Sequence, residues 1–150
     1  MSRSMAESVR AGAVLLVALA LIVVAGEPAR AQEAGGGAAG NTVLDGVYTA
    51  AQAEQGGTIF HSRCTLCHTL EEFVYGTHAP TAKFATIGDM FLRISTQMPM
   101  DNPGELSYQQ YVAIISYILQ QNGYPAGETE LPIDIERLNQ IRVVPLPADH

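Results

Sequence analysis

Five consecutive residues, Cys64-Thr65-Leu66-Cys67-His68, constrain this chain more than any other stretch, because they hold both of its cysteines with a histidine directly after them. Two thiols three residues apart on a helical turn lie on one side of the backbone. A structural zinc site needs four Cys or His ligands in paired clusters, and the remaining histidines, His61, His78 and His150, are scattered. A thioredoxin-like redox pair sits at the start of a helix after a strand, in a βαβ context that this sequence lacks. A disulfide between Cys64 and Cys67 would close a very small loop, constrain little, and leave His68 unexplained. The pattern that accounts for all three side chains is C-x-x-C-H, the pattern of covalent haem attachment. Each thiol forms a thioether with one vinyl group, and His68 is held beneath the macrocycle as an axial ligand. The fold implied is one that wraps around a single large apolar plate.

The rest of the composition fits that reading. The chain has no Trp and few aromatics, so its own side chains make a thin core that a buried apolar group would help to fill. Its N-terminus has Arg3 and Arg10, an uncharged apolar run over 11–26, and Ala29-Arg30-Ala31. These are the basic start, apolar centre and small-x-small site of a secretory signal, so residues 1–31 are expected to be cleaved and the remainder to be periplasmic. The apolar run is short against the roughly 20 residues of a spanning helix; the alternative is an uncleaved N-terminal anchor. After residue 31 the chain has five Lys and Arg against thirteen Asp and Glu, a formal net charge of −8. That excludes nucleic acid as a partner and suits steering toward a basic patch on another protein, or solubility alone.

Helical signals dominate from Val43 onward, and no alternating run is long enough for a sheet, so the expected class is all-α. Residues 32–42 are Gly- and Ala-rich and read as a flexible leader, 43–127 as one domain, and 128–150, with Pro132, Pro145 and Pro147, as a strap lying over it. Thr49 followed by Gln52 predicts a capping box and a helix from Ala50 to about Ser62. Thr86 with Asp89, and Ile87, Met90, Phe91 and Ile94 at helical spacing, predict a short amphipathic helix that stops before Pro99. Ser107 with Gln110, the stripe Tyr111, Ile114, Ile115 and Ile118, and the stop at Asn122-Gly123 predict a helix over 108–121. One or two helical turns are expected between Asp134 and Ile141.

An electron-transferring haem gains from a second strong axial ligand, and Met opposite His raises the potential. Met90 falls on an apolar helical stripe and reads as core. Met98, in Gln97-Met98-Pro99, lies past a helix end where periodicity alone does not bury it, and Pro99 stiffens its backbone. Met98 is the preferred sixth ligand, with Met100 and then His78 as alternatives.

These residues resemble the class I c-type cytochromes, whose first helix carries a small residue and an aromatic at the places of Gly56 and Phe60. In that family the pair packs crosswise on the last helix, a part open here to Tyr111, Ile115 or Tyr117. A closer likeness is to the small bacterial monohaem cytochromes that accompany pyrroloquinoline quinone (PQQ) dehydrogenases. It rests on Asp45-Gly46-Val47-Tyr48-Thr49, Gln52-Ala53, Met98-Pro99, Pro103-Gly104, Leu106-Ser107, Tyr111, Tyr117-Ile118-Leu119-Gln120 and Asn122-Gly123, and covers about 43–132. The resemblance implies a cytochrome c fold, one covalent haem c, and Met98 as the distal ligand. The sequence departs from it between Thr69 and Lys83, which lack a clear Gly-Pro-rich haem-flanking loop; there Pro80 is the expected source of a carbonyl for the Nδ1 hydrogen of His68.

The function implied is transfer of single electrons, taken from a PQQ-dependent dehydrogenase and passed to an oxidase or another cytochrome. No catalytic constellation is visible in the chain, so it is not expected to be an enzyme. The alternatives are a cytochrome subunit fixed in a dehydrogenase complex through the Pro-containing tail, and a haem enzyme or sensor with a displaceable distal ligand.

Overall fold

The computed structural model describes residues 41–76 and 78–148. The signal and leader expected over 1–31 and 32–42 therefore lie outside the described residues, apart from Asn41 and Thr42. Six helices follow in order: α1 (Ala50–Ile59), α2 (Glu71–Val74), α3 (Pro80–Lys83), α4 (Ile87–Gln97), α5 (Tyr108–Gln121) and α6 (Ile135–Asn139), with a π-helical turn, Phe60–Cys64, continuing α1. Among the described residues there is no strand, only isolated bridges of Arg142 to Thr42 and to Thr86. The all-α expectation holds, and no described helix is long and apolar enough to cross a membrane.

The two long elements meet where the sequence has least bulk. At Gly56 a β-carbon would stand 1.8 Å from the carbonyl oxygen of Ala113, so α1 lies directly against the backbone of α5 and any side chain there would prise them apart. One turn on, Phe60 packs on Tyr117 with ring centroids 5.4 Å apart. Every residue of α5 from Tyr111 to Leu119 is buried. An amphipathic stripe was the sequence expectation; the helix is instead covered all round, by α1, α4 and the C-terminal segment.

The expected caps are present with one exception. Thr86 with Asp89, and Ser107 with Gln110, form complete capping boxes, and Gly123 takes a φ of +85° just beyond α5, where glycine alone is unstrained. At α1, Thr49 accepts the N–H of Gln52 as predicted, but the Gln52 side chain does not reach back to complete a box. It is buried, donating to the Leu131 carbonyl at 3.0 Å and accepting the Leu131 N–H at 2.8 Å, with the Ser116 hydroxyl 3.0 Å from its Oε1. A buried amide must satisfy its polar atoms, and a distant backbone outcompetes the local cap.

The C-terminal segment is thereby part of the core. Leu131, Leu138 and Ile141 are buried. Residues 141–143 bond on one side to Asn41 and Val43 and on the other to Ala85 and Ile87, at 2.9–3.0 Å.

Candidate functional site

The first helix is expected to run to Ser62; it ends at Ile59 and widens into the π-helical turn, closed by the N–H of Thr65 bonding back five residues to the Phe60 carbonyl at 3.2 Å. Such wide turns recur at functional sites because they rotate the next residues relative to the helix. The next turn closes on Cys64, whose carbonyl accepts the N–H of Cys67 at 3.2 Å and of His68 at 3.0 Å. Cys64, Cys67 and His68 thus share one turn, with Cys67 and His68 three and four residues beyond Cys64. Both cysteines are free thiols; Cys64 is half-buried and Cys67 exposed. Burial pushes the Cys64 thiol up to about 11, against the opposing pull of Arg63.

The imidazole of His68 is held at one nitrogen. Its Nδ1 lies 3.1 Å from Oε2 of Glu72, four residues on, at the second position of α2. The other carboxylate oxygen accepts the backbone N–H of Thr69 at 3.1 Å and lies 3.4 Å from its hydroxyl. The bond from His68, and then that from Thr69, hold the Glu72 carboxyl below its ordinary pKa. An ionised carboxylate only accepts, so Nδ1 is the donor of this bond. The sequence placed the Pro80 carbonyl in this role. That carbonyl accepts the N–H of Phe84 instead, because Pro80 opens α3 and its oxygen is used within the turn. The signal that would have found Glu72 is its i+4 spacing from His68 at the start of a helical turn.

Met98 ends α4, half-buried. Its N–H donates to the Ile94 carbonyl at 3.0 Å, and its own carbonyl accepts the Tyr111 hydroxyl at 2.7 Å, so the backbone at this position is pinned from both sides. Met100 is 77% exposed and Met90 1% exposed; the first projects into solvent and the second is core. His78 sits with His68. Its Nδ1 is 3.8 Å from the same Glu72 oxygen, and the two rings meet edge to face with centroids 5.6 Å apart. His61 lies 3.1 Å from the Tyr117 hydroxyl on the α1–α5 face, away from this cluster; His150 is outside the described residues.

Arg63 ties the two halves of the site together. Its guanidinium pairs with Glu105, in the loop after Met98 that also holds a bond between Asn102 Nδ2 and Glu105 Oε2 at 3.0 Å. Cys64, Leu70, Phe73, Phe84, Ile94 and Leu106 pack on the core while remaining partly exposed.

The donor set fits a covalently attached haem: two free thiols and an imidazole on one turn, a half-buried methionine whose backbone is held on both sides, and partly exposed apolar side chains. Arg63 adds a further point of fit, since its Nε is buried without a hydrogen-bond partner, and a haem brings two propionate acceptors. Such an orphaned donor in a folded chain calls for an acceptor. Among the described residues no group of three or more His, Cys, Asp and Glu could hold a metal ion. Comparison of the chain with protein-family models, with curated proteins and with solved structures gives no match.

Proposed function

We propose that this protein is a monohaem c-type cytochrome that carries single electrons in the periplasm. The observation that carries the reading is the turn closed on the Cys64 carbonyl, which presents Cys64, Cys67 and the His68 imidazole together. When bound, the haem supplies reversible one-electron exchange at its iron. Cys64 and Cys67 would attach it, His68, oriented by Glu72, would ligate its iron, and the Met98 thioether would supply the other protein ligand. Met98 is favoured over Met100 because its backbone is fixed by Ile94 and Tyr111 while Met100 is solvated. The crosswise contact at Gly56 and Phe60 is the packing expected from the class I cytochromes and supports a cytochrome c fold.

The test of attachment is the mass of the exported protein. It should exceed that of the processed polypeptide by one haem that survives acid and organic extraction. Cys64→Ala combined with Cys67→Ala should lose the haem. A wild-type mass equal to the bare polypeptide sinks the proposal.

The donor proposed is a PQQ-dependent dehydrogenase and the acceptor an oxidase or another cytochrome. Support comes from the resemblance over 43–132 and from the acidic charge, which would speed encounter with a basic patch. Stopped-flow reduction by such a dehydrogenase should slow as salt rises; a flat or rising rate would mean that the charge serves solubility and docking is apolar. The free-carrier reading is preferred to a subunit anchored by its tail, because Leu131, Leu138 and Ile141 are committed to the chain's own core.

A further inference from the structure

We infer that Glu72 is the positioning residue for the axial histidine, accepting the Nδ1 hydrogen of His68 through a carboxylate and so making it a stronger, more electron-rich ligand. The inference deepens the proposed function and rests on it, since it concerns the His68 of a haem-loaded protein. Three observations on separate atoms converge. His68 Nδ1 is 3.1 Å from Glu72 Oε2. The carboxylate is not a free surface group: Thr69 holds its other oxygen by the backbone N–H at 3.1 Å, with the hydroxyl at 3.4 Å. The His68 ring is also packed, edge to face against Phe73 at 5.4 Å and against His78 at 5.6 Å, so its plane is fixed as well as its tautomer.

The acceptor's charge matters chemically. A hydrogen bond from a metal-bound imidazole to a neutral carbonyl orients the ring; the same bond to a carboxylate also pulls the proton away and raises the basicity of the ligating nitrogen. A more basic ligand favours ferric over ferrous iron, so Glu72 lowers the reduction potential and opposes the raising effect expected of a Met ligand. Glu71 serves as an internal control. It is exposed, neighbours Glu72 in sequence and has the same side chain on the same helix.

The experiment uses the haem-loaded protein. Glu72→Gln and Glu71→Gln are compared by redox titration and by the proton spectrum of the diamagnetic reduced form. With the haem still attached, Glu72→Gln should raise the potential clearly more than Glu71→Gln and move the His68 Nδ1 proton upfield. Equal shifts in the two variants would reduce Glu72 to a surface charge, and no shift in either would overturn the inference. Should Glu72→Gln fail to mature, the wild type decides: the Nδ1 proton of His68 should show a through-space contact with the Glu72 methylene protons, and a contact with the Pro80 neighbourhood instead would overturn it. A wild type carrying no haem would defeat the proposed function, a result distinct from every outcome above.

Discussion

The α1–α5 crossing and the loops that carry the candidate site are held by different means. At the crossing, backbone lies on backbone at Gly56, nine successive residues of α5 are buried, and the Gln52 amide both donates to and accepts from Leu131. In the site, α2 and α3 have four residues each, too short for helical order without outside support. Their geometry comes from hydrogen bonds between near neighbours, such as those of Glu72 with His68 and Thr69, and from apolar side chains that stay partly exposed. Side-chain packing therefore specifies the frame, whereas in the proposed reading the covalently attached macrocycle supplies most of the apolar mass of the site.

The sharpest way to break this comparison is at the frame. Gly56→Ala should cost about 3 kcal/mol or more, because the clashing atom is a carbonyl that moves only if the helices part. Gly57→Ala should cost far less, since the added carbon meets the Tyr117 ring at 3.0 Å, a side chain able to shift. Urea denaturation of both variants measures the contrast, and equal losses would show that the crossing is compliant. Gln52→Leu comes next, at about 2–3 kcal/mol by the same measurement, for leaving the Leu131 N–H and carbonyl buried without partners. A loss below about 0.5 kcal/mol would mean that the C-terminal segment can open to water. The smallest effect on the fold is expected in the site: Met98→Ala should leave helical content unchanged, yet abolish the sulfur-to-iron charge-transfer band and lower the potential. Met100→Ala should alter neither. An exchange of these behaviours would place the ligand two residues further along.

The same division explains what was legible in the sequence. Ser107 with Gln110, Thr86 with Asp89, and Gly123 are short-range signals whose partners lie within one turn, and each forms as expected. The C-x-x-C-H turn is equally local. Gln52 carried the same signature as a cap, but its partner is Leu131, 79 residues away, and no local pattern reports such a competitor. Cys64, Cys67, His68 and Met98 are candidates by residue type and spacing, but the group that lies against His68 is not among the expectations. Pro80 is the expected acceptor, whereas Glu72, four residues after His68, is the one beside its Nδ1. The π-helical turn gave no signal, since five residues bonded i to i+5 have no distinctive composition.

Residues 141–143 bond to Asn41 and Val43 near the start of the domain and to Ala85 and Ile87 at the head of α4, and this bears on the order in which the molecule is made. Synthesis runs from the N-terminus, so a nascent chain that has reached Gly127 already contains Cys64, Cys67, His68, Glu72 and Met98. It still lacks the partners of Gln52, Val43, Ile87 and Ala85, which come from Leu131 and from Ile141 to Val143. Leu131 and the stretch from Ile141 to Val143 therefore act as a latch: the bonds that tie Gln52, Val43, Ala85 and Ile87 together form only once the last part of the chain is present.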